Sequence, residues 1–75
     1  MTETAQKLTI SIILNGEERS VGAGRSIAAM LESIGFNPAK VAVERNLKVV
    51  PRSSLGEIVV NEGDKFEIVH FVGGG

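Results

Sequence analysis

Cysteine is absent from the 75-residue chain, and with it go disulfides, thiolate zinc sites and cysteine nucleophiles. The core has to hold by packing alone. An excess of either charge is missing too: eight Lys plus Arg face nine Asp plus Glu, for a formal net charge of -1, and neither sign forms a block. A protein that grips a phosphate backbone normally carries a basic patch or stripe, so no nucleic acid partner is expected. Long hydrophobic runs are lacking. The longest, such as Ile12-Ile13-Leu14, fall far short of a membrane span, and residues 1–7 are polar where a signal peptide would have its apolar stretch. The expectation is a cytoplasmic protein with no membrane association.

Chemistry-bearing side chains are scarce. There is one histidine, His70, and one aspartate, Asp64, so a Ser/His/Asp triad would have to use both, and a metal site would need carboxylates gathered from scattered glutamates. Asp64 follows Asn61-Glu62-Gly63 and reads as a turn residue; His70 reads as an ordinary strand residue. Gly22-Ala23-Gly24-Arg25-Ser26 precedes a helix, yet it has neither the spacing nor the lysine of a phosphate-binding loop. A chain this short buries only about 60–65% of its extended surface and has little volume for an enclosed site. No resident metal or cofactor is expected, and an autonomous enzyme is disfavoured.

What is present is a regular alternation of strand, turn and helix signals. Leu8, Ile10, Ile12 and Leu14 recur with period two, which predicts a first strand over 8–14 that Ile13 interrupts. Asn15-Gly16 suits a type I′ turn, so 17–21 should return as the second strand of a hairpin. Ser26 is placed to cap a helix over 27–34, in which Ile27, Met30, Leu31 and Ile34 form one apolar face. Gly35 provides a C-terminal cap and Pro38 prevents continuation. Further strands are predicted at 41–43 and 47–50, separated by a turn at Arg45-Asn46, with an irregular stretch at 52–57, a short extended piece at 58–60 and a last strand over 66–72. That last strand is apolar on both faces, which marks it as central or as holding one face for a partner.

Hairpin, helix, then three strands predicts an α+β, β-grasp architecture: a mixed sheet of four or five strands packed on one main helix, with first and last strands parallel neighbours. The domain spans 8–72, residues 1–7 extend before it, and Gly73-Gly74-Gly75 form a flexible tail leaving the centre of the sheet. Three glycines can thread a slot too narrow for any side chain. Such a tail could carry a carboxylate into another protein's active site, where activation as a mixed anhydride would be needed to make it electrophilic. A frayed terminus, or a remnant of cloning, is the plainer reading of the same residues.

The segments Ile13-Leu14-Asn15-Gly16-Glu17, Val41-Ala42-Val43-Glu44-Arg45-Asn46, Val50-Pro51-Arg52 and Gly63-Asp64, with the ending Glu67-Ile68-Val69-His70-Phe71-Val72-Gly73-Gly74-Gly75, resemble the ThiS family of sulfur carriers in thiamin biosynthesis. The resemblance runs from about Leu8 to the end. It implies a ubiquitin-like β-grasp fold in which Gly75 is adenylated and converted to a thiocarboxylate, Gly73 and Gly74 thread the partner, and Val69 and Phe71 form an apolar docking patch while Phe66 and Ile68 face the core. The implied partners are a ThiF-type adenylyltransferase using ATP and magnesium, a cysteine desulfurase relay and a ThiG-type thiazole synthase. In that role the chain is a co-substrate rather than an enzyme. The rival resemblance, to the small subunit of molybdopterin synthase, shares the fold and glycine ending but commonly has a proline before the final glycines. A ubiquitin-like modifier and a passive β-grasp interaction module are the remaining alternatives.

Overall fold

The computed structural model describes residues 8–71. Strand β1, Thr9–Leu14, and strand β2, Glu17–Gly22, form the expected hairpin. Its turn residues Asn15 and Gly16 both take positive φ, 49° and 85°, as a type I′ turn requires. Helix α1, Ile27–Ser33, begins where the Ser26 hydroxyl oxygen accepts from the Ala29 N–H at 3.1 Å. Its other early donors are satisfied by a distant loop: the Ile27 N–H donates to the Ile58 carbonyl and the Ala28 N–H to the Leu55 carbonyl. The helix ends at Gly35, φ 98°, with the Phe36 N–H reaching back to the Leu31 carbonyl and the Gly35 N–H to that of Glu32. This pair of bonds is a Schellman closure. Pro38 opens a separate 3-10 turn, Pro38–Lys40, rather than merely ending the helix.

Strand β3, Val41–Arg45, and strand β4, Lys48–Val50, form a second hairpin. Its turn lies at Asn46-Leu47, one residue later than the sequence suggests. Arg45 remains in β3 because it pairs with Lys48 on one side and Phe66 on the other. The stretch expected to be irregular contains a 3-10 turn, Arg52–Ser54, and the 58–60 piece makes one bridge, Val59 to Ser26. Strand β5, Lys65–His70, completes a five-stranded sheet in the order β2-β1-β5-β3-β4. β1 and β5 run parallel while every other neighbouring pair is antiparallel. This is the β-grasp arrangement expected from the sequence.

One face of the sheet packs on the helix. Ile12, Leu14, Val21, Val41, Val43, Val50, Phe66 and Ile68 point inward against Ile27, Met30 and Leu31, with Leu55 and Val60 closing the side. Burying a side chain such as Phe66 contributes about 1.5–3 kcal/mol. Among the described residues no helix covers the opposite face.

Candidate functional site

β5 is the middle strand, so whatever follows it leaves from the centre of the sheet. The alternation along β5 sorts its side chains: Phe66 and Ile68 are buried, while Val69 and Phe71 are 63% and 54% exposed. His70 follows the inward row but lies beyond the helix. Its ring meets Phe36 with centroids 5.2 Å apart, so it is an exposed strand residue stacked on the helix end.

The strand is held on both edges as far as Ile68, and on the β3 side as far as Phe71. On the β3 side the Phe71 N–H donates to the Lys40 carbonyl at 3.1 Å. On the β1 side, where β1 has already turned away, the side chain of Asn15 substitutes for a strand: its Oδ1 accepts from the Ile68 N–H at 2.8 Å and its Nδ2 donates to the Ile68 carbonyl at 3.3 Å. Arg52 supplies a third hold. Its guanidinium carbon lies 5.2 Å from the centre of the Phe71 ring, and its Nη2 donates to the Val41 carbonyl at 3.4 Å. The Phe71 ring overhangs a shallow hollow of about 260 Å³ that Ala42, Pro51 and Leu55 help to line. The last described residue of this segment is therefore an apolar ring with the Arg52 guanidinium over it and its backbone held by the Lys40 carbonyl. Gly73, Gly74 and Gly75 lie outside the described residues.

A second cluster fixes where β5 begins. Asp64 is buried, and its Oδ2 receives the Arg45 Nε at 2.9 Å and the Asn61 N–H at 2.9 Å, while its Oδ1 receives the Asn46 Nδ2 at 3.1 Å. Asn46 Oδ1 in turn accepts from the Lys65 N–H at 2.9 Å. Burial alone would push the Asp64 carboxyl up; the Asn61 N–H, Arg45 and Asn46 together outweigh it and hold the group below the ordinary carboxylate range. The sequence suggests only a turn at Asp64, and the roles of Arg45, Asn46 and Arg52 are not legible in it. One signal was available: Arg45 continues the inward alternation of Val41 and Val43, and an arginine in an inward row calls for a buried anion.

Among the described residues no group of three or more His, Asp or Glu side chains is placed to hold a metal. His70 and Asp64 are occupied separately, the one by Phe36 and the other by its clasp. The described residues here form a paired strand end with an exposed Val69 and Phe71.

The sequence profile of the ThiS family matches residues 12–75. The chain belongs to the ThiS family. The segments that carried the resemblance now have physical meanings, since the Arg45-Asn46 pair and Asp64 are two halves of one clasp, and Asn15 ties β1 to β5. The fold agrees: the chain superposes on the crystal structure of the thiamine biosynthesis protein ThiS from Geobacter metallireducens with a TM-score of 0.73 at 26% identity, covering 88% of this chain and 100% of that one. The sulfur carrier protein ThiS of Escherichia coli is 26% identical over 66 residues, 88% of this chain and 100% of its own length. A thiazole synthase of Paramagnetospirillum magneticum is 50% identical over 66 residues, again 88% of this chain. This ThiS-family chain spans only 20% of that relative's length.

Proposed function

We propose that this protein is a sulfur carrier of thiamin biosynthesis that presents Gly75 to a succession of enzymes. An α-carboxylate titrates at about 3.3–3.7 and is ionised at neutral pH, so it resists nucleophilic attack. A ThiF-type adenylyltransferase, using ATP and magnesium, joins one carboxylate oxygen to the α-phosphorus of ATP and releases pyrophosphate. The terminal sulfur of a persulfide delivered through a cysteine desulfurase relay attacks the acyl carbon of the adenylate, and AMP departs with its oxygen. A thiol of the partner enzymes or of the medium then attacks the carrier-distal sulfur of the resulting acyl disulfide, is itself oxidised to a disulfide, and leaves a thiocarboxylate on Gly75. A ThiG-type thiazole synthase then takes that sulfur into the thiazole. The chain acts throughout as a co-substrate, with Gly73 and Gly74 threading the slot and Val69 and Phe71 docking against the partner.

The observation that supports this reading best is the strand end itself. In a member of the ThiS family, the central strand is clamped on both edges and delivers an exposed Val69 and Phe71 shortly before Gly73-Gly74-Gly75, with only Val72 between. A rigid, apolar root followed by a side-chain-free tail suits docking by the domain and reaction at the tip. The relative named as a thiazole synthase supports the last step, since half of the aligned residues are shared with a segment of that enzyme.

The test is intact-protein mass spectrometry after incubation with a ThiF-type enzyme, ATP, magnesium and a sulfur donor. One oxygen of the chain should exchange for sulfur, and removing Gly75 should abolish the exchange and cause thiamin auxotrophy. No exchange with demonstrably active partners would defeat the reading. Loss of molybdoenzyme activity in place of auxotrophy would point to the molybdopterin branch instead.

A further inference from the structure

The turns of the two hairpins share one arrangement and differ at one residue. Asn15 and Asn46 each open a turn at positive φ, 49° and 52°, and both are exposed. Each lays its side-chain amide against the β5 region. The Asn15 amide holds both backbone groups of Ile68, at 2.8 and 3.3 Å, while the Asn46 amide spans the Lys65 N–H at 2.9 Å and the Asp64 carboxylate at 3.1 Å. The next residue is Gly16 in the first turn and Leu47 in the second. Leu47 is 88% exposed and stands at φ 72°, so neither burial nor backbone preference explains a leucine there.

That one difference bears on the chemistry of asparagine. The backbone nitrogen of the following residue can attack the side-chain Cγ and close a succinimide ring, and a Cβ on that residue crowds the approach. Glycine removes the obstruction. Asn15-Gly16 is the only Asn-Gly pair in the sequence, since Asn37, Asn46 and Asn61 precede Pro38, Leu47 and Glu62. A Cβ at Gly16 would meet nothing within 4 Å beyond its chain neighbours, so the turn has open space in which to rearrange. What opposes the reaction is Ile68. While Oδ1 and Nδ2 both bond to its backbone, Cγ is held toward β5 and away from the Gly16 nitrogen.

We propose that Asn15 is a self-modification site gated by β5: its amide is inert while it holds Ile68, and when the strand lets go it cyclises onto Gly16. The Gly16 nitrogen gives up its proton and bonds to Cγ, the Cγ–Nδ2 bond breaks, and Nδ2 leaves as ammonia with that proton. Water then opens the ring. Attack at Cγ yields aspartate; attack at the Asn15 backbone carbonyl yields isoaspartate, whose main chain runs through Cβ and Cγ. Neither product restores the hold. Both lack the Nδ2 donor, aspartate sets a carboxylate oxygen against the Ile68 carbonyl, and isoaspartate lengthens the turn by one backbone carbon. β1 itself pairs with β5 only at Lys65 and Phe66, so an opening of the strand is recorded irreversibly. The same chemistry accounts for Leu47. Glycine there would relieve the backbone but make Asn46 a second reactive pair beside the Asp64 clasp; the leucine keeps it inert.

The experiment ages the full chain at neutral and mildly alkaline pH and locates the modification by peptide mass spectrometry, with isoaspartate counted by enzymatic methylation of its carboxylate. Modification should fall on Asn15 before any other asparagine and should quicken with pH, because the attacking nitrogen must lose its proton. It should be about tenfold or more slower in the folded chain than in the same chain unfolded in urea. In rising urea below the unfolding transition, hydrogen exchange at the Ile68 N–H and modification at Asn15 should increase by the same factor. Modified chain separated by ion exchange should exchange Ile68 faster than unmodified chain, and L47G should make Asn46 reactive as well. Equal rates in folded and unfolded chain overturn the gate, as does Ile68 exchange that accelerates while Asn15 modification does not. Modification of Asn46 as fast as that of Asn15 in the wild type, or full protection of Ile68 in the modified chain, overturns the assignment itself.

Discussion

Single residues with unusual surroundings give the sharpest expectations. Asp64 is a buried carboxylate held by two side chains and one backbone N–H, and its folded-state pKa lies below its unfolded one. The stabilisation is therefore complete above the unfolded value, near about 4, and is lost as pH falls through the lower folded value. Urea denaturation of the wild type should show this acid-side loss. D64N should cost about 1–3 kcal/mol at neutral pH and flatten the profile below pH ~4; an acid profile as steep as that of the wild type would mean that other groups are responsible. Leu47 makes the opposite case. Its left-handed backbone costs about 1–2 kcal/mol, and glycine gives part of that back through a freer unfolded chain. L47G should raise stability by up to about 1 kcal/mol, read as a higher urea midpoint. A lower midpoint would show that the leucine side chain contributes more to the fold than its exposure indicates.

At the level of elements, the coupling of β1 to β5 matters most, because β5 carries the tail. The two strands share only the pairs Ile13 with Lys65 and Leu14 with Phe66 before β1 turns away, and the amide of Asn15 continues the ladder to Ile68. Asn15 also occupies a positive-φ turn position, so two effects have to be separated. N15A should lose both and cost about 1–3 kcal/mol. N15G should restore the turn but not the amide, so hydrogen exchange at the Ile68 N–H should remain faster than in the wild type even where global stability recovers. Equal protection of Ile68 in N15G and wild type would show that the amide contributes nothing to holding β5. The short helix is likewise set by its partners, since its first N–H groups bond to the Ser26 hydroxyl and to the carbonyls of Leu55 and Ile58. Seven residues are too few for a helix to persist without such contacts.

For the whole molecule, the sheet buries one face against the helix and exposes the other, and β5 contributes to both. Replacing Val69 and Phe71 by serine should therefore leave the melt nearly unchanged while lowering kcat/KM for adenylation by a ThiF-type enzyme about 5- to 30-fold, the range of one to two interface anchors. A matching fall in stability would instead mean that these side chains belong to the core. Much of this arrangement was legible in the sequence. Period-two alternation and the Asn15-Gly16 pair specified the first hairpin, the spacing of Ile27, Met30 and Leu31 specified the helix face, and the two-sided apolar pattern of β5 marked the strand that would be central. Those features are local, and local sterics and periodicity decide them. The clasp of Asp64 with Arg45 and Asn46, the hold of Arg52 on Phe71 and the use of Asn15 as a surrogate strand all join residues from separate elements. No periodicity announces them, because they depend on which strands become neighbours and in what register. The sequence by itself determined the elements, the central strand and the glycine tail; only the tertiary structure decided which side chains anchor that strand and which exposed face leads to it.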